Sequence, residues 1–325
     1  MSVITIDAGT SNTRAALWQN GLPVKSAAEP VGCRDTALTG SKDALKEAVR
    51  KVIGQVKAED TQAIVASGMI TSNLGLAEIP HLELPAGKKE LAAALTAVEI
   101  PEVWHKPLWF VPGLKQTGAA ADTWENLADF DVIRGEETEI IALVDKLNLA
   151  GKPAWLALPG SHSKYIYLNA KGQVEYFFTT LAGEMFAAVA GNTILAGSAA
   201  AASLSGTAGE DLFAGYHAAL KTGIARACFL VRPAHLFGSK TESARSDFLL
   251  GAVLASDLEL LKQKDAILKN PAAPIIIAGR SELKTAIAAL ISAQAQFQGR
   301  VIETDTSGLA GHGALLLAKE GGILT

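Results

Sequence analysis

The chain has 325 residues, of which 49% are hydrophobic and 19% charged, and its formal net charge at pH 7 is −4. This composition is typical of a folded globular protein and excludes collagen-like, coiled-coil and wholly disordered chains, and the length predicts two domains. The slightly acidic balance gives no electrostatic reason to expect nucleic acid as a partner. Two cysteines, Cys33 and Cys228, are too few for a disulfide framework or a four-cysteine zinc site.

The amino terminus and the most Ala-rich stretch argue against export and membrane insertion. The first residues, MSVITID, lack a basic start and reach Asp7 before an apolar run of signal-peptide length has formed. The stretch 181–204 contains Glu184 and Asn192, which are costly in hydrocarbon. We therefore expect a buried helix in this stretch, a cytoplasmic protein and no membrane partner.

An internal duplication is visible in the glycines and apolar runs of the chain. Short apolar runs predict three strands near the start of each half, at 3–7, 13–18 and 22–27 and at 154–158, 165–168 and 174–178. Gly9 and Gly160, each at the end of a first strand, are 151 positions apart, and so are the turn glycines Gly21 and Gly172. The sequence therefore predicts two halves of similar construction, 1–150 and 151–325.

Beyond these hairpins the pattern alternates between amphipathic helices and short buried strands. In the first half we predict helices at 41–56, 88–98 and 138–149 and a strand at 63–66. In the second half we predict helices at 211–230, 244–261, 281–296 and 309–319 and strands at 275–278 and 301–303. This alternation favours an α/β fold in which each half is a mixed sheet flanked by helices.

The corners after the two first strands have the composition of phosphate-binding loops. The first corner is Gly9-Thr10-Ser11-Asn12, and the second is Gly160-Ser161-His162-Ser163-Lys164. Glycine allows a ligand to approach the backbone closely, and hydroxyl and N–H groups donate to phosphate oxygens. Asp7, at the end of the first strand, is placed to hold a hydrated Mg²⁺. The P-loop motif and the dinucleotide fingerprint do not occur in the sequence.

Five segments carry a resemblance to a known family. They are DAGTSNTR at 7–14, ASGMITS at 66–72, FVPG at 110–113, IRGEET at 133–138 and LPGSHSK at 158–164. The first segment resembles the phosphate loop of the actin-like ATPases. All five together, in this order and spacing, resemble the 2-dehydro-3-deoxygalactonokinase family over nearly the whole chain. The resemblance implies two similar actin-like (ribonuclease H-like) domains with a cleft between them.

The resemblance also implies a reaction. It is the in-line transfer of the γ-phosphate of ATP, with Mg²⁺, to the 6-hydroxyl of 2-dehydro-3-deoxy-D-galactonate, a sugar acid of D-galactonate catabolism. In related sugar kinases a Gly-Asp pair at a helix start supplies the catalytic base, and Gly135-Glu136 is the nearest match here. Glu136 and Glu137 are both candidates for the base, and Asp7 is the candidate metal ligand. The departure from that pattern is Glu for Asp, which leaves the choice between the two glutamates open. The alternative is that both acids occur there only because the helix dipole favours acids in a first helical turn.

Substrate-binding residues are expected in the first half of the chain. The polar turn after the strand at 63–66 contributes four of them, Met69, Ile70, Thr71 and Ser72. Arg14 and Arg134 are candidate partners for a substrate carboxylate or an ATP phosphate, because guanidinium pairs with both. Hydroxyls in such a turn also cap helices, and either arginine is also suited to an ion pair inside its domain, so these roles remain expectations.

In the second half, Gly279 and Arg280 follow the strand at 275–278 and resemble the adenosine loop of the superfamily. The alternative is a strand-to-helix turn in which the glycine serves backbone geometry alone. Two other functions also stay open: a kinase for a different sugar or sugar acid, and an actin-like nucleotide-binding protein without kinase chemistry. The expected partner is a small sugar acid, and a homodimer is allowed.

Overall fold

The computed structural model describes residues 2–118, 120–279 and 281–324. Its strands are β1 Ser2–Ala8, β2 Thr13–Gln19, β3 Leu22–Glu29, β4 Thr61–Gly68, β5 Leu82–Glu83, β6 Thr96–Val98, β7 Leu108–Phe110, β8 Leu114–Gln116, β9 Asp131–Ile133, β10 Ala154–Leu158, β11 Ser163–Leu168, β12 Val174–Thr180, β13 Ile275–Ala278 and β14 Val301–Thr304. Its helices are α1 Cys33–Thr39, α2 Asp43–Val56, α3 Lys88–Ala93, α4 Trp124–Leu127, α5 Glu136–Lys146, α6 Ala182–Asn192, α7 Glu210–Thr222, α8 Ile224–Phe229, α9 Val231–Phe237, α10 Glu242–Lys262, α11 Asp265–Lys269, α12 Ser281–Ser292 and α13 Leu309–Glu320.

The first half of the chain forms a sheet with the strand order β3-β2-β1-β4-β7-β6. β1 pairs antiparallel with β2 and parallel with β4, so the carboxyl ends of β1 and β4 lie side by side, with Asp7 opposite Ser67 and Ala8 opposite Gly68. Helix α2 buries its apolar stripe, Leu45, Val49, Val52, Ile53 and Val56, in the core of this half. Each such side chain stabilises the fold by roughly 1.5–3 kcal/mol.

A small sheet in the same half leads into the candidate catalytic acids. Its strand order is β5-β8-β9, and β8 pairs antiparallel with β9, so that Leu114 lies opposite Ile133. Helix α5 begins after β9, separated from it by Arg134 and Gly135. The position of this sheet therefore sets where the first turn of α5 lies.

The second half forms a sheet with the strand order β12-β11-β10-β13-β14. β10 pairs antiparallel with β11 and parallel with β13, and β13 pairs parallel with β14. In this order, β12, β11, β10, β13 and β14 take the places of β3, β2, β1, β4 and β7 in the first sheet. The predicted α/β fold with a mixed sheet in each half is confirmed.

Contacts between Cα atoms divide the chain into two compact units. The first unit contains Met1–Gly151, Lys171–Tyr176 and Ser307–Thr325, and the second contains Lys152–Ala170 and Phe177–Thr306. The expected division into 1–150 and 151–325 differs from these units at the turn 171–176 and at α13. Helix α13 belongs to the first unit because it packs on α5: a Cβ placed on Gly313 would lie 1.8 Å from the carbonyl oxygen of Thr138.

The Ala-rich stretch 181–204 contains α6, which buries Ala182, Phe186 and Ala190 along one face. This arrangement agrees with the helix expected there. Among the described residues, no helix combines the length and the apolar character needed to cross a membrane.

Candidate functional site

The first predicted phosphate loop, Gly9–Asn12 (loop 1), is a tight turn between β1 and β2. The N–H of Gly9 donates to the carbonyl oxygen of Asn12 at 2.9 Å. Around a Cβ placed on Gly9, no described heavy atom beyond its chain neighbours lies within 4 Å. Packing within the chain therefore does not require glycine at this position, and the open space suits the close approach of a phosphate.

Loop 1 is anchored by the start of α1. The N–H groups of Cys33 and Arg34 donate to the carbonyl oxygens of Gly9 and Thr10 at 3.1 and 2.8 Å. A Cβ on Gly32, the residue before α1, would lie 2.5 Å from the carbonyl oxygen of Thr10. Only glycine permits this approach, so Gly32 sets the contact between helix and loop.

The second predicted loop, Gly160–Lys164 (loop 2), is anchored by α6 in a similar way. The N–H of Glu184 donates to the carbonyl oxygen of Ser161 at 3.0 Å. A Cβ on Gly183 would lie 2.1 Å from the carbonyl oxygen of Gly160. Gly183 lies 151 positions after Gly32, the offset that relates the two loops. The sequence analysis missed both anchoring glycines, although the same offset was available to find them.

The two loops differ in the residue two positions before their first glycine. Asp7 is the penultimate residue of β1, its side chain is 33% exposed, and its Oδ2 lies 3.6 Å from a guanidinium nitrogen of Arg14. Partial burial raises the pKa of Asp7, the Arg14 charge opposes this rise, and the nearby charge of Glu136 adds to it. The equivalent position in the second unit is Leu158, which is buried. Loop 1 therefore has an acid beside it where loop 2 has an apolar side chain.

Loop 2 has both exposed and buried polar residues, and Ser163 is 1% exposed, with its Oγ 3.5 Å from the Gly160 nitrogen. Ser161 and His162 are exposed, and Lys164 is partly buried. The Nε2 atom of His162 lies 2.7 Å from a carboxylate oxygen of Glu184, and both side chains are about half exposed. An exposed pair of this kind contributes little to stability, roughly 0–1 kcal/mol.

The turn before α5 lies beside the end of β4. Gly135 has φ +116°, and a Cβ placed on it would lie 3.4 Å from the Cα of Gly68. The N–H of Gly135 donates to Oε2 of Glu137 at 2.6 Å, and the N–H of Arg134 donates to Oε2 of Glu136 at 3.2 Å. The two glutamate side chains thus fold back onto the turn that precedes their own helix.

The two glutamates occupy different environments. Glu136 is partly exposed and close enough to Asp7 to affect its ionisation. Glu137 is 0% exposed, and its Oε1 has no hydrogen-bond partner among the described residues. Burial raises the pKa of Glu137 to about 8, backbone N–H groups and Arg134 oppose this shift, and the charge of Glu136 adds to it. Of the two glutamates, only Glu136 retains exposed surface.

Arg134 holds the turn 69–72 in place. Its guanidinium donates to the carbonyl and hydroxyl oxygens of Thr71, and to the carbonyl oxygen of Ile79 at 3.0 Å. Thr71 also donates its hydroxyl to the carbonyl oxygen of Gly68, and Ser72 donates to that of Met69. Ile70 and Thr71 are 0% exposed, whereas Met69 is partly exposed. Within this turn, Met69 therefore offers more surface to a ligand than Ile70 or Thr71.

His81 is a residue of this region that sequence reasoning missed. Both of its ring nitrogens lie 3.1–3.2 Å from one guanidinium nitrogen of Arg134. Burial lowers the pKa of His81, and the charges of Arg134 and Lys115 lower it further. The sequence carries no signal for this contact, because 53 residues separate the two partners and His81 belongs to no recognisable motif.

In the second unit, Gly279 follows β13 and lies close to Pro159, just before loop 2. A Cβ on Gly279 would lie 3.2 Å from the Cδ of Pro159. Glycine is therefore explained in part by this packing, and its expected adenosine contact remains a prediction. Arg280, the other expected residue of the adenosine site, lies outside the described residues.

A Mg²⁺ site made of protein side chains alone is not found in the part of the chain that the structure describes, where no three His, Cys, Asp or Glu residues are grouped to hold a metal ion. Mg²⁺ commonly uses one or two carboxylates and completes its shell with water and substrate phosphates. The partly exposed Asp7 beside loop 1 fits that role as a single protein ligand.

Comparisons with known proteins agree on one family. Residues 7–314 match the family model described as 2-keto-3-deoxy-galactonokinase. The 2-dehydro-3-deoxygalactonokinase of Escherichia coli K12 is 26% identical over 260 residues, which cover 80% of each chain. A candidate enzyme of the same name from Rhizobium meliloti is 31% identical over 224 residues, 68% of this chain and 64% of the relative.

The fold also matches a solved structure. A candidate 2-dehydro-3-deoxygalactonokinase from Sinorhizobium meliloti aligns with a TM-score of 0.76 and 22% identity over 98% of both chains. At this identity the likeness shows the fold alone. The fold is the α/β fold of the actin-like ATPases, as the sequence predicted, with a mixed sheet and flanking helices in each half.

Proposed function

Because the chain belongs to the 2-keto-3-deoxy-galactonokinase family, and is therefore a kinase, we propose that it phosphorylates 2-dehydro-3-deoxy-D-galactonate. The donor is ATP, the acceptor atom is the 6-hydroxyl oxygen, and the products are ADP and the 6-phosphate. The bond from the γ-phosphorus to the β,γ-bridging oxygen breaks as the bond to the acceptor oxygen forms. The hydroxyl proton goes to a carboxylate of the enzyme. This reaction would belong to D-galactonate catabolism.

The observation that carries the proposal is the pair of anchored loops. In each unit a glycine corner is fixed by hydrogen bonds from the start of a helix to loop carbonyls. Such a corner can offer backbone N–H and hydroxyl donors to phosphate oxygens at no cost of rearrangement. We assign loop 1, Gly9, Thr10, Ser11 and Asn12, and loop 2, Gly160, Ser161, His162, Ser163 and Lys164, to the phosphates of ATP. Gly279 is assigned to its adenosine.

Asp7 is assigned to Mg²⁺, which would neutralise charge on the phosphates when bound. The support is its partial exposure, its place at the end of β1 next to loop 1, and its loose 3.6 Å pairing with Arg14. The carboxylate thus lies near the Arg14 cation but forms no close bidentate pair with it, so its oxygens stay available to a metal. Arg14, more than half exposed, is assigned to the carboxylate of the acceptor or to a phosphate.

The acceptor side is assigned to the turn 69–72 and to the start of α5. Arg134 fixes the turn through Thr71 and Ile79, so that Met69 and the backbone of the turn can form a rigid side of the acceptor site. A glutamate in the first turn of α5 then orients and deprotonates the acceptor hydroxyl. Phosphoryl transfer requires mainly such positioning and charge neutralisation.

The test is ADP release by the purified protein with ATP, Mg²⁺ and a panel of sugar acids, including the gluconate-derived epimer of the acceptor. Acceptor-dependent ADP release should be fastest with 2-dehydro-3-deoxy-D-galactonate, and the product should gain one phosphate at C6. A faster reaction with another sugar acid would reassign the substrate. ADP release that no acceptor stimulates would favour an actin-like nucleotide-binding protein without kinase chemistry.

A further inference from the structure

Gly135, the residue before α5, is held at both its N–H and its carbonyl oxygen. The N–H of Gly135 donates to Oε2 of Glu137 at 2.6 Å, and its carbonyl oxygen accepts from the hydroxyl of Thr138 at 3.0 Å. Gly135 itself has φ +116°, a conformation that an unconstrained chain populates readily only at glycine. Two side chains of the following helical turn, Glu137 and Thr138, therefore hold the peptide units on either side of Gly135.

Glu137 is badly placed to act on a substrate atom. Its side chain is 0% exposed, one carboxyl oxygen is used by Gly135, and the other is buried without a partner among the described residues. Burial of this kind disfavours the charged form, in line with a pKa of about 8. A carboxyl group that is enclosed, and mostly protonated at pH 7, is poorly placed to take a proton from a substrate hydroxyl.

Glu136 has the opposite character. It is partly exposed, its charge acts on Asp7, and its carboxylate accepts the N–H of Arg134 at 3.2 Å. Glu136 follows Gly135 directly, so its position depends on the backbone angles of that glycine. A change in those angles would alter where Glu136 lies relative to Asp7.

We propose that Glu137 is a positioning residue, which holds the Gly135 peptide so that Glu136 alone faces and deprotonates the acceptor hydroxyl. This assignment rests on the proposed kinase function and deepens it. It separates two adjacent acids that the sequence leaves equivalent. Glu137 acts through its hydrogen bond to Gly135, and its charge plays no part in the reaction.

The experiment compares four variants with the wild type in the acceptor-dependent ADP assay. Glu136→Gln removes the base and should lower kcat by about 10²–10⁴-fold. Glu137→Gln keeps an oxygen that accepts from Gly135 and should lower kcat by less than about tenfold. Glu137→Ala removes the acceptor and should lower kcat by about 10²-fold, with the KM for ATP changed less than about threefold. Glu139→Gln removes an acid from the same first turn and is the matched control, with an expected change below about twofold.

A second readout is independent of catalysis. Hydrogen exchange of the Gly135 amide should accelerate at least about tenfold in Glu137→Ala and stay near the wild-type rate in Glu137→Gln. If the alanine variant does not fold, the glutamine variant decides alone. A loss in Glu137→Gln equal to that in Glu136→Gln, with the Gly135 amide still protected, would make Glu137 the base and overturn the proposal. Absence of acceptor-dependent activity in the wild type would instead overturn the proposed function and leave the exchange result standing.

Discussion

Loop 1 and loop 2 are anchored by the same backbone arrangement, but they differ in the side chain that lies beside each loop. In both, a glycine at the start of a helix packs against a loop carbonyl oxygen. An added Cβ would lie 2.5 Å from that oxygen at Gly32 and 2.1 Å from it at Gly183. Two positions before the first glycine of each loop, however, lies the acid Asp7 in the first unit and the buried Leu158 in the second. The backbone arrangement has thus been kept in both copies, while the side chain beside it has changed.

This difference in side chain separates phosphate binding from metal binding. Backbone donors and hydroxyls suffice to bind phosphate oxygens, and both loops have them. A carboxylate repels phosphate unless a cation lies between them, so an acid belongs at only one of the two loops. We therefore expect metal dependence to be a property of loop 1, whereas loop 2 contributes binding alone.

The largest expected effect on kcat is that of replacing Asp7. Asp7→Asn keeps the size of the side chain and removes its charge, and should lower kcat about 10²–10³-fold, because transition-state charge is less well neutralised. Leu158→Met, at the equivalent position of the second unit, is the matched control and should change kcat less than about threefold. Steady-state rates at saturating ATP and Mg²⁺ measure both. Equal losses in the two variants would show that the positions do not differ in role.

The anchoring glycines should matter next. Gly183→Ala and Gly32→Ala place a methyl group against a loop carbonyl oxygen, and each should raise the KM for ATP by about tenfold or more. Gly183→Ala should be the more severe, because its Cβ would be closer to the carbonyl oxygen. Gly191→Ala in α6 and Gly54→Ala in α2 are the controls, since no heavy atom of the described residues, beyond chain neighbours and the helix's own backbone, lies within 4 Å of a Cβ at either site. An unchanged KM in both anchor variants would remove the loops from the ATP site.

A smaller effect is expected from the cation beside Asp7. The Arg14 charge lowers the pKa of Asp7 against the effect of burial. Arg14→Gln should therefore raise that pKa, and the acid limb of kcat/KM should move to higher pH, because Asp7 must be ionised to hold a metal. A pH profile from 5 to 9 measures the shift. A pH-independent rise in the KM for the sugar acid, with no shift of the limb, would place Arg14 on the substrate instead.

The smallest effect is expected at the surface of loop 2. His162→Gln removes the contact with Glu184, in which both side chains are about half exposed. Because exposed pairs are worth little, the KM for ATP should change by less than about threefold, and any change should shrink in salt. Loop 2 is assigned to ATP through its backbone donors and hydroxyls, so a tenfold loss that persists at high salt would mean that the imidazole of His162 contacts the nucleotide as well.

Much of the fold could be predicted from local patterns. The predicted strand at 154–158 has the observed bounds of β10, and the predicted strand at 275–278 those of β13, because short apolar runs between turn residues are unambiguous. The helix predicted at 88–98 is wrong: α3 ends at Ala93 and β6 occupies Thr96–Val98, where pairing with β7 overrides helical periodicity. The helix predicted at 211–230 is interrupted at Gly223, whose φ of +79° ends α7.

The parts of the site that are formed by residues adjacent in sequence could be predicted. The parts that packing brings together from distant residues could not. The glycine corners of loops 1 and 2 are visible as short motifs. The contact of Arg134 with His81 is made by residues far apart in the chain, so no spacing indicates it. The contrast between Glu136 and Glu137 depends on burial, which two adjacent acids in a helical turn cannot reveal from sequence.

The central claim is tested most directly by metal binding in the presence of nucleotide. Mn²⁺, which can replace Mg²⁺ and is visible by electron paramagnetic resonance, is titrated into the wild type, Asp7→Asn and Gly183→Ala, each with ADP. We predict that Asp7→Asn loses nucleotide-dependent Mn²⁺ binding while still binding ADP, and that Gly183→Ala needs more ADP but then binds Mn²⁺ as the wild type does. Undiminished Mn²⁺ binding by Asp7→Asn at saturating ADP would contradict the account.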